Sequence, residues 1–244
     1  MNKISSFLLL AILMLPSVCR SQARKQSYEK GPLLYENSLA THQMVEDWVM
    51  EGPGVLSFAD GWRHMYAEQE KWHHVLWCPI EFPSRFIAEW QVQNLHVEAG
   101  LLIIFFAAKG VNGEDIFAPA LPSRDGTFRF YTKDKLNSYH ISYYANNPKN
   151  PDRELSHLRK NNMFALLQTG KEGISKHSEA VHTLRLVKHD AHILFFVDGR
   201  KIIDCEDDGK THGPWYKDGK VGLRQMQWSH FRYRNFKVWS IRKK

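Results

Sequence analysis

Cysteine is nearly absent from this 244-residue chain, which holds only Cys19, Cys78 and Cys205. So few cannot build a disulfide scaffold, and no Cys-x-x-Cys spacing occurs to hold zinc. Two readings stay open for Cys78 and Cys205: one bridge in an oxidising compartment, or two buried, unpaired thiols. Apolar runs long enough to cross a membrane are missing as well, and FLLLAILML at 7–15 is too short to span a bilayer comfortably. No HExxH, EF-hand loop, P-loop or dinucleotide fingerprint is present. KGVNG at 109–113 is a turn, without the strand–glycine–helix setting of a phosphate site. No strand carries an E-x-D-x-x-E type of carboxylate pair, which argues against an ordinary retaining glycosidase with its two carboxylates about 5 Å apart.

The first residues read as a leader. Lys3 supplies the positive start, 7–15 the apolar stretch, and Ser21-Gln22-Ala23 a small-x-small cleavage pattern. Residues 1–23 are therefore expected to be a signal peptide, placing residues 24–244 in a periplasm or outside the cell as a single domain. A lipid anchor on Cys19 fits poorly with Pro16-Ser17-Val18 before it. The chain carries 33 Lys and Arg against 26 Asp and Glu. Removing Lys3 and Arg20 with the leader leaves 31 against 26, a charge of +5. In an exported protein, an acidic polysaccharide is a more natural partner for that excess than nucleic acid.

Strand patterns dominate the rest. They run over 72–80, 84–93, 100–110, 127–132, 139–145, 181–189, 192–197, 201–206, 221–228 and 231–241, rich in β-branched and aromatic residues and bounded by Gly, Pro, Asn or Asp. SLATHQMVEDWVMEG at 38–52 reads as a short helical turn before a strand. Asp198-Gly199 marks a tight hairpin. A dozen closely spaced strands without a convincing amphipathic helix predict an all-β antiparallel sandwich.

The order of features after residue 180 is narrower than that class. HTLRLVKHDAHILFFVDGRKIID is followed by GKVGLRQMQWSHFRYRNFKVWSI. With HVLWCPIEFP (74–83), YHISYYANN (139–147), HLRKN (157–161) and GLRQM (222–226), the chain resembles the YesU-like family of uncharacterised domains in the concanavalin A-like lectin/glucanase superfamily. The resemblance spans essentially the whole of 24–244. It implies a jelly roll of two antiparallel sheets with a concave binding face, in a family associated with plant- or algal-polysaccharide use. That fold hosts lectins, hydrolases and lyases alike, so it does not choose among them.

Alternation along the strands nominates the site. Tyr139, Ile141 and Tyr143 share one face, and His140, Ser142 and Tyr144 the other. A polar row followed by a loop with Lys149, Arg153, Arg159 and Lys160 suits an anionic ligand better than a core. On 84–93 the row Arg85, Ile87, Glu89, Gln91, Gln93 opposes a core row of Phe86, Ala88, Trp90 and Val92. The expected constellation has His140, Tyr144 and His74 as catalytic residues, with Arg159, Arg224, Gln91, Glu89, Ser142 and Lys160 holding substrate. Each has a plainer alternative. His74 reads equally as a buried histidine, Glu89 as an exposed ion-pair partner of Arg85, Tyr144 as a sugar platform, and Arg159 with Lys160 as a solvated loop face.

A uronate-directed β-elimination lyase fits this set, with a His base, a Tyr acid and cations for the enolate-like charge. Non-catalytic carbohydrate binding and glycoside hydrolysis are the alternatives. No cofactor is required. The acidic run Asp204, Glu206, Asp207, Asp208 before Gly209 leaves open a structural Ca²⁺ site, beside the simpler reading of a solvated hairpin exit.

Overall fold

A computed structural model describes residues 27–147, 150 and 153–242. The leader at 1–23, Cys19 and Lys149 lie outside the described residues. The strands are β1 (Lys30–Asn37), β2 (Val49–Glu51), β3 (Val55–Ala59), β4 (Trp62–Tyr66), β5 (His74–Phe82), β6 (Arg85–Asn94), β7 (Gly100–Gly110), β8 (Leu136–Asn146), β9 (Leu155–Asn161), β10 (Ala165–Glu172), β11 (Val181–His189), β12 (His192–Val197), β13 (Arg200–Glu206), β14 (Gly219–Gln225) and β15 (Phe231–Ile241). A single 3₁₀ turn at Gln43–Val45 precedes β2, as the sequence at 38–52 suggests.

These strands form two antiparallel sheets. Sheet I has the order β13-β12-β11-β6-β15-β4-β3, with β1 also paired to β15. Sheet II has the order β10-β9-β8-β7-β14-β5-β2. Alternating residues of both sheets meet in one core, including Phe86, Ala88, Trp90 and Val92 of β6 and Leu102, Ile104 and Phe106 of β7. Burying each such side chain stabilises the sandwich by about 1.5–3 kcal/mol. At the β12–β13 hairpin Asp198 (φ 50) and Gly199 (φ 76) take the paired positive φ values of a tight type I′ turn.

β7 is apolar on both faces, and the reason lies in the connection that follows it. Val75, Trp77, Leu101, Ile103 and Phe105 point away from the sandwich core, where residues 111–135 fold back over them with Ile116 and Tyr131. The strand expected at 127–132 is instead a helical turn, α1 (Arg129–Thr132), within that cover. Its aromatic alternation is satisfied by docking. Tyr131 stacks on Phe105 at 5.7 Å and on Trp77 at 6.4 Å between ring centroids. Gly126 (φ +90) lets the cover approach closely, since a Cβ there would sit 2.0 Å from the His73 carbonyl oxygen.

Cys78 is buried and free, so no bridge joins it to Cys205. Burial pushes its thiol up to about 12, which leaves it an inert core residue. No helix among the described residues is long and apolar enough to cross a membrane.

Candidate functional site

The hydrogen-bond ladder of sheet II sets two parallel rows across its outer face. Trp77, Gly222, Phe105, His140 and Arg159 are successive register partners in one row. Val75, Arg224, Ile103, Ser142 and His157 are successive partners in the next. The 111–135 cover buries the β5 and β14 end of both rows. Towards β8 and β9 a cavity of about 340 Å³ remains, walled by Phe128, Phe164, Ile103 and Met226 and by the polar His140, Asn150, Arg153, His157 and Arg159.

His140 is held from several sides. Asn161 donates through Nδ2 to Ser138 Oγ at 2.9 Å, and its Oδ1 (3.2 Å) and Nδ2 (3.1 Å) both lie within hydrogen-bond distance of His140 Nδ1. In the tautomer that donates from Nδ1 to Oδ1, Nε2 is left as the acceptor. The ring stacks on Phe164 at 5.8 Å and meets the edges of Phe105 and Phe128. Burial first, then the charges of Arg159, Arg224 and Arg153, lower its pKa to about 3. His140 is therefore a neutral imidazole throughout the physiological range.

Among the described residues, the cations around it have no carboxylate partner. Arg159 lies over the Phe164 ring at 4.2 Å and donates to the Phe164 carbonyl. Arg153 donates through Nη2 to Ser142 Oγ at 3.1 Å. Among the described residues neither forms a salt bridge, and no carboxylate lines the cavity. A half-buried pair of guanidiniums without an anion is an electrostatic invitation to one.

Of the expected site residues, the structure brings His140 and Arg159 into this cavity, with Ser142 buried beneath Arg153. The others go elsewhere, each for a stated reason. In β8, Leu102 pairs with Tyr144 and Ile103 with Ser142, so one extra residue bulges at Tyr143. The bulge turns Tyr143 and Tyr144 both into the core, where Tyr144 packs on Phe231 and its hydroxyl accepts from Asn94. Tyr144 cannot serve as the acid. Glu89 and Gln91 face outward from sheet I, on the far side of the sandwich. There Glu89 is bound by Lys30 and Arg185, and Gln91 accepts from Arg234. Neither can reach the cavity.

The 139–162 stretch is not a loop after its strand, since Leu155–Asn161 form β9. Arg159 and Lys160 are strand neighbours and point to opposite faces. Lys160 is fully buried inside, paired with Asp207 at 2.8 Å and donating to the Gly213 carbonyl. His74 shares the inward face of β5 with Leu76 and is also buried. Burial and the charge of Arg224 lower it to about 3. Arg224 does sit on the outer face, but under the cover, donating to the Gly126 carbonyl between the rings of Phe128 and Tyr131. It reaches His140 only through its field.

The acidic run after β13 does not converge on a cation. Asp204 binds His192 and Lys201, Asp207 binds Lys160 and the Tyr139 hydroxyl, and Asp208 accepts from the Lys210 and Thr211 amides. Among the described residues no cluster of three or more His, Cys, Asp or Glu is placed to hold a metal ion.

His157, Phe164 and Asn161 were not among the expected site residues, and Arg153 was named only as a cation of the basic loop. Reading HLRKN as a strand would have placed His157 beside Arg159 by alternation. Phe164 carries no such cue, because it enters the cavity from a turn at φ +56.

Residues 32–238 match the family model described as a domain of unknown function (DUF1961). The uncharacterised protein YesU of Bacillus subtilis (strain 168) is 36% identical over 214 residues, covering 86% of this chain and 97% of the relative. A crystal structure from Bacillus subtilis, described as a protein of unknown function with a galectin-like fold, superposes with a TM-score of 0.86 at 34% identity, covering 89% of this chain and all of that one. The exoplasmic/lumenal domain of VIP36, in its Ca²⁺/Man3GlcNAc-bound form, shares the fold at a TM-score of 0.59 and 10% identity, with coverage of 88% and 92%. The architecture is therefore a galectin-like jelly roll, and the chain belongs to the DUF1961 family together with YesU, as the resemblance in its strands implies.

Proposed function

We propose that this protein recognises an acidic carbohydrate in the outer cavity of sheet II. The observation that carries this reading is the placement of two guanidiniums, Arg153 and Arg159, with no carboxylate partner among the described residues, beside a neutral His140 in a cavity walled by aromatic rings. A uronate sugar presents the matching features. Its carboxylate meets the arginines, its hydroxyls find His140 Nε2, His157 and Asn150, and its C–H face lies against Phe164 or Phe128. The sugar-bound domain of the same fold agrees with the proposal, but the residues of the cavity support it. A polymeric ligand of this kind is met outside the cytoplasm, which accords with the leader read at residues 1–23.

Titration calorimetry with galacturonate, mannuronate and glucuronate oligomers tests the reading. Charge-assisted hydrogen bonds of about 1.5–3 kcal/mol predict that Arg159→Ala weakens binding on the order of 10- to 150-fold. Equal affinity for wild type and variant, or a preference for neutral over acidic oligomers, would remove the acidic-ligand assignment.

The placement of His140 supports a second, catalytic reading, in which a bound uronate carboxylate offsets the arginine charges that hold its basicity down. A neutral imidazole beside two cations is arranged to remove the proton α to a uronate carboxylate. The proton passes from C5 to Nε2, the C5 electron pair forms the C4=C5 double bond, and the glycosidic C4–O bond breaks. In a syn elimination the same imidazolium returns the proton to the departing oxygen, so the loss of Tyr144 as an acid leaves the chemistry complete. The arginines hold the enolate-like charge meanwhile. Appearance of unsaturated-uronate absorbance would identify this activity; binding without it would assign a lectin-like role.

A further inference from the structure

The cavity of sheet II does not stand alone. Met226 lines it on one side and, on the other, lines a second cavity of about 280 Å³. This second space is framed at one end of the sandwich by the segments that leave β4 and β6 and those that enter β5 and β15. Its walls differ in chemistry from those of the first. Tyr66, Trp72 and Trp228 are partly exposed there, and Glu70 is the only Asp, Glu, Lys or Arg in the lining among the described residues.

The wall is also built to stay in place. Trp228 sits at φ +62, an unfavourable conformation for a bulky residue. Its amide donates to the Glu70 carbonyl at 2.8 Å, and its carbonyl meets His96 Nδ1 at 2.7 Å. His96 thereby keeps Nε2 as an acceptor. Tyr66 and His230 meet at 5.0 Å between centroids. Partly exposed indoles with a few hydrogen-bonding groups beside them suit the apolar face and equatorial hydroxyls of an uncharged sugar ring.

We infer that the second cavity is an aromatic sugar subsite continuous with the first across Met226, so that the ligand is an oligosaccharide and not a single uronate. The inference rests on the acidic-carbohydrate reading of the first cavity. It assigns the carboxylate-bearing ring to Arg153 and Arg159, and an adjoining ring to the Trp72 and Trp228 wall.

Calorimetry on the full chain tests it with glucuronate alone, with glucuronosyl-xylose and glucuronosyl-xylotriose, in which one ring bears the carboxylate and the others are neutral, and with neutral xylotetraose. In the wild type, affinity should rise at least tenfold from the monomer to the tetramer. Trp72→Ala should abolish that rise and leave monomer binding unchanged, whereas Trp72→Phe should keep most of it. Trp228→Ala repeats the test at an independent position, and thermal melts report whether each variant folds. Equal affinity for monomer and tetramer, or a Trp72→Ala variant indistinguishable from wild type on the tetramer, overturns the subsite. If uronates fail while xylotetraose binds and loses affinity in Trp72→Ala but not in Arg159→Ala, the acidic reading falls and the aromatic subsite stands. If nothing binds, both fall.

Discussion

The two outer faces of the sandwich carry similar residues to opposite ends. On sheet I, Glu89 is held by Lys30 and Arg185, Arg85 by Asp190, and Gln91 and Gln93 by Arg234 and Arg232. The last two guanidiniums also lie over the Trp62 ring. On sheet II, Arg153 and Arg159 face a cavity with no carboxylate among the described residues. The faces differ in how their cations are engaged: on sheet I, Lys30, Arg85 and Arg185 meet carboxylates and Arg232 and Arg234 donate to glutamine amides, whereas Arg153 and Arg159 open onto a cavity. A cation already paired with a carboxylate has little to offer a ligand, while one that faces a cavity without a carboxylate keeps its attraction for an anion.

The largest effect is expected at the centre of the cavity face. His140→Gln should cut formation of unsaturated product by about 10²- to 10⁴-fold, the range for losing a general base. Binding of the intact oligomer should change far less. A variant that loses binding and turnover together would make His140 a structural residue, and the contrast between the faces would rest on the arginines alone.

Next in size comes the interior. Lys160→Ala strands Asp207 and should destabilise the fold by about 3–5 kcal/mol in urea denaturation. Glycan affinity should stay unchanged under conditions where the variant is folded, because Lys160 faces away from the cavity. A large change in affinity at unchanged stability would place Lys160 on the wrong face.

Acid should act through the buried histidines. Burial and neighbouring Arg224 lower His73 to about 4 and His74 to about 3, and burial with Arg159 lowers His140 to about 3. Unfolding restores them to about 6.5, so between these values the unfolded chain binds more protons. Stability is thus complete above pH 6.5 and declines as pH falls towards 3–4, by about 1.4 kcal/mol per pH unit for each such histidine. His140→Gln should flatten that slope by one proton in pH-dependent melts; an unaltered slope would mean that His140 titrates normally.

The smallest effect belongs to the outer face of sheet I. Glu89→Gln should cost at most about 1 kcal/mol, the usual range for partly exposed ion pairs, and should leave glycan binding untouched. A binding defect there would break the distinction between the two faces.

Where the sequence was legible, a local rule and the tertiary environment agreed. β6, β7, β11, β12 and β15 were read almost to their ends because inward aromatic and β-branched residues alternate along them or fill them. The Asp198-Gly199 hairpin followed from its φ requirement. β3, β4 and β10 were missed because they are short or polar, and Thr127–Thr132 was misread because its aromatics serve a docking face instead of a ladder. Within the site, His140 could be found by alternation, whereas Arg159 was named only as a cation of a basic loop that is in fact β9. Tyr144 could not, since a bulge is a decision of the partner strand and leaves no mark on the strand that carries it. Glu89 and Gln91 misled for a different reason: alternation separates inside from outside, but a sandwich has two outsides.

β9 behaves like a reading frame. Arg159 faces the cavity and Lys160 the core for no reason beyond their odd and even places on one strand. Deleting a single residue between Leu155 and Leu158 would keep the composition and nearly the length. It would also send the cation that lines the cavity into the interior and the cation that pairs with Asp207 into the cleft. A frameshift of this kind costs binding and stability together, a signature that no single side-chain substitution in β9 should reproduce.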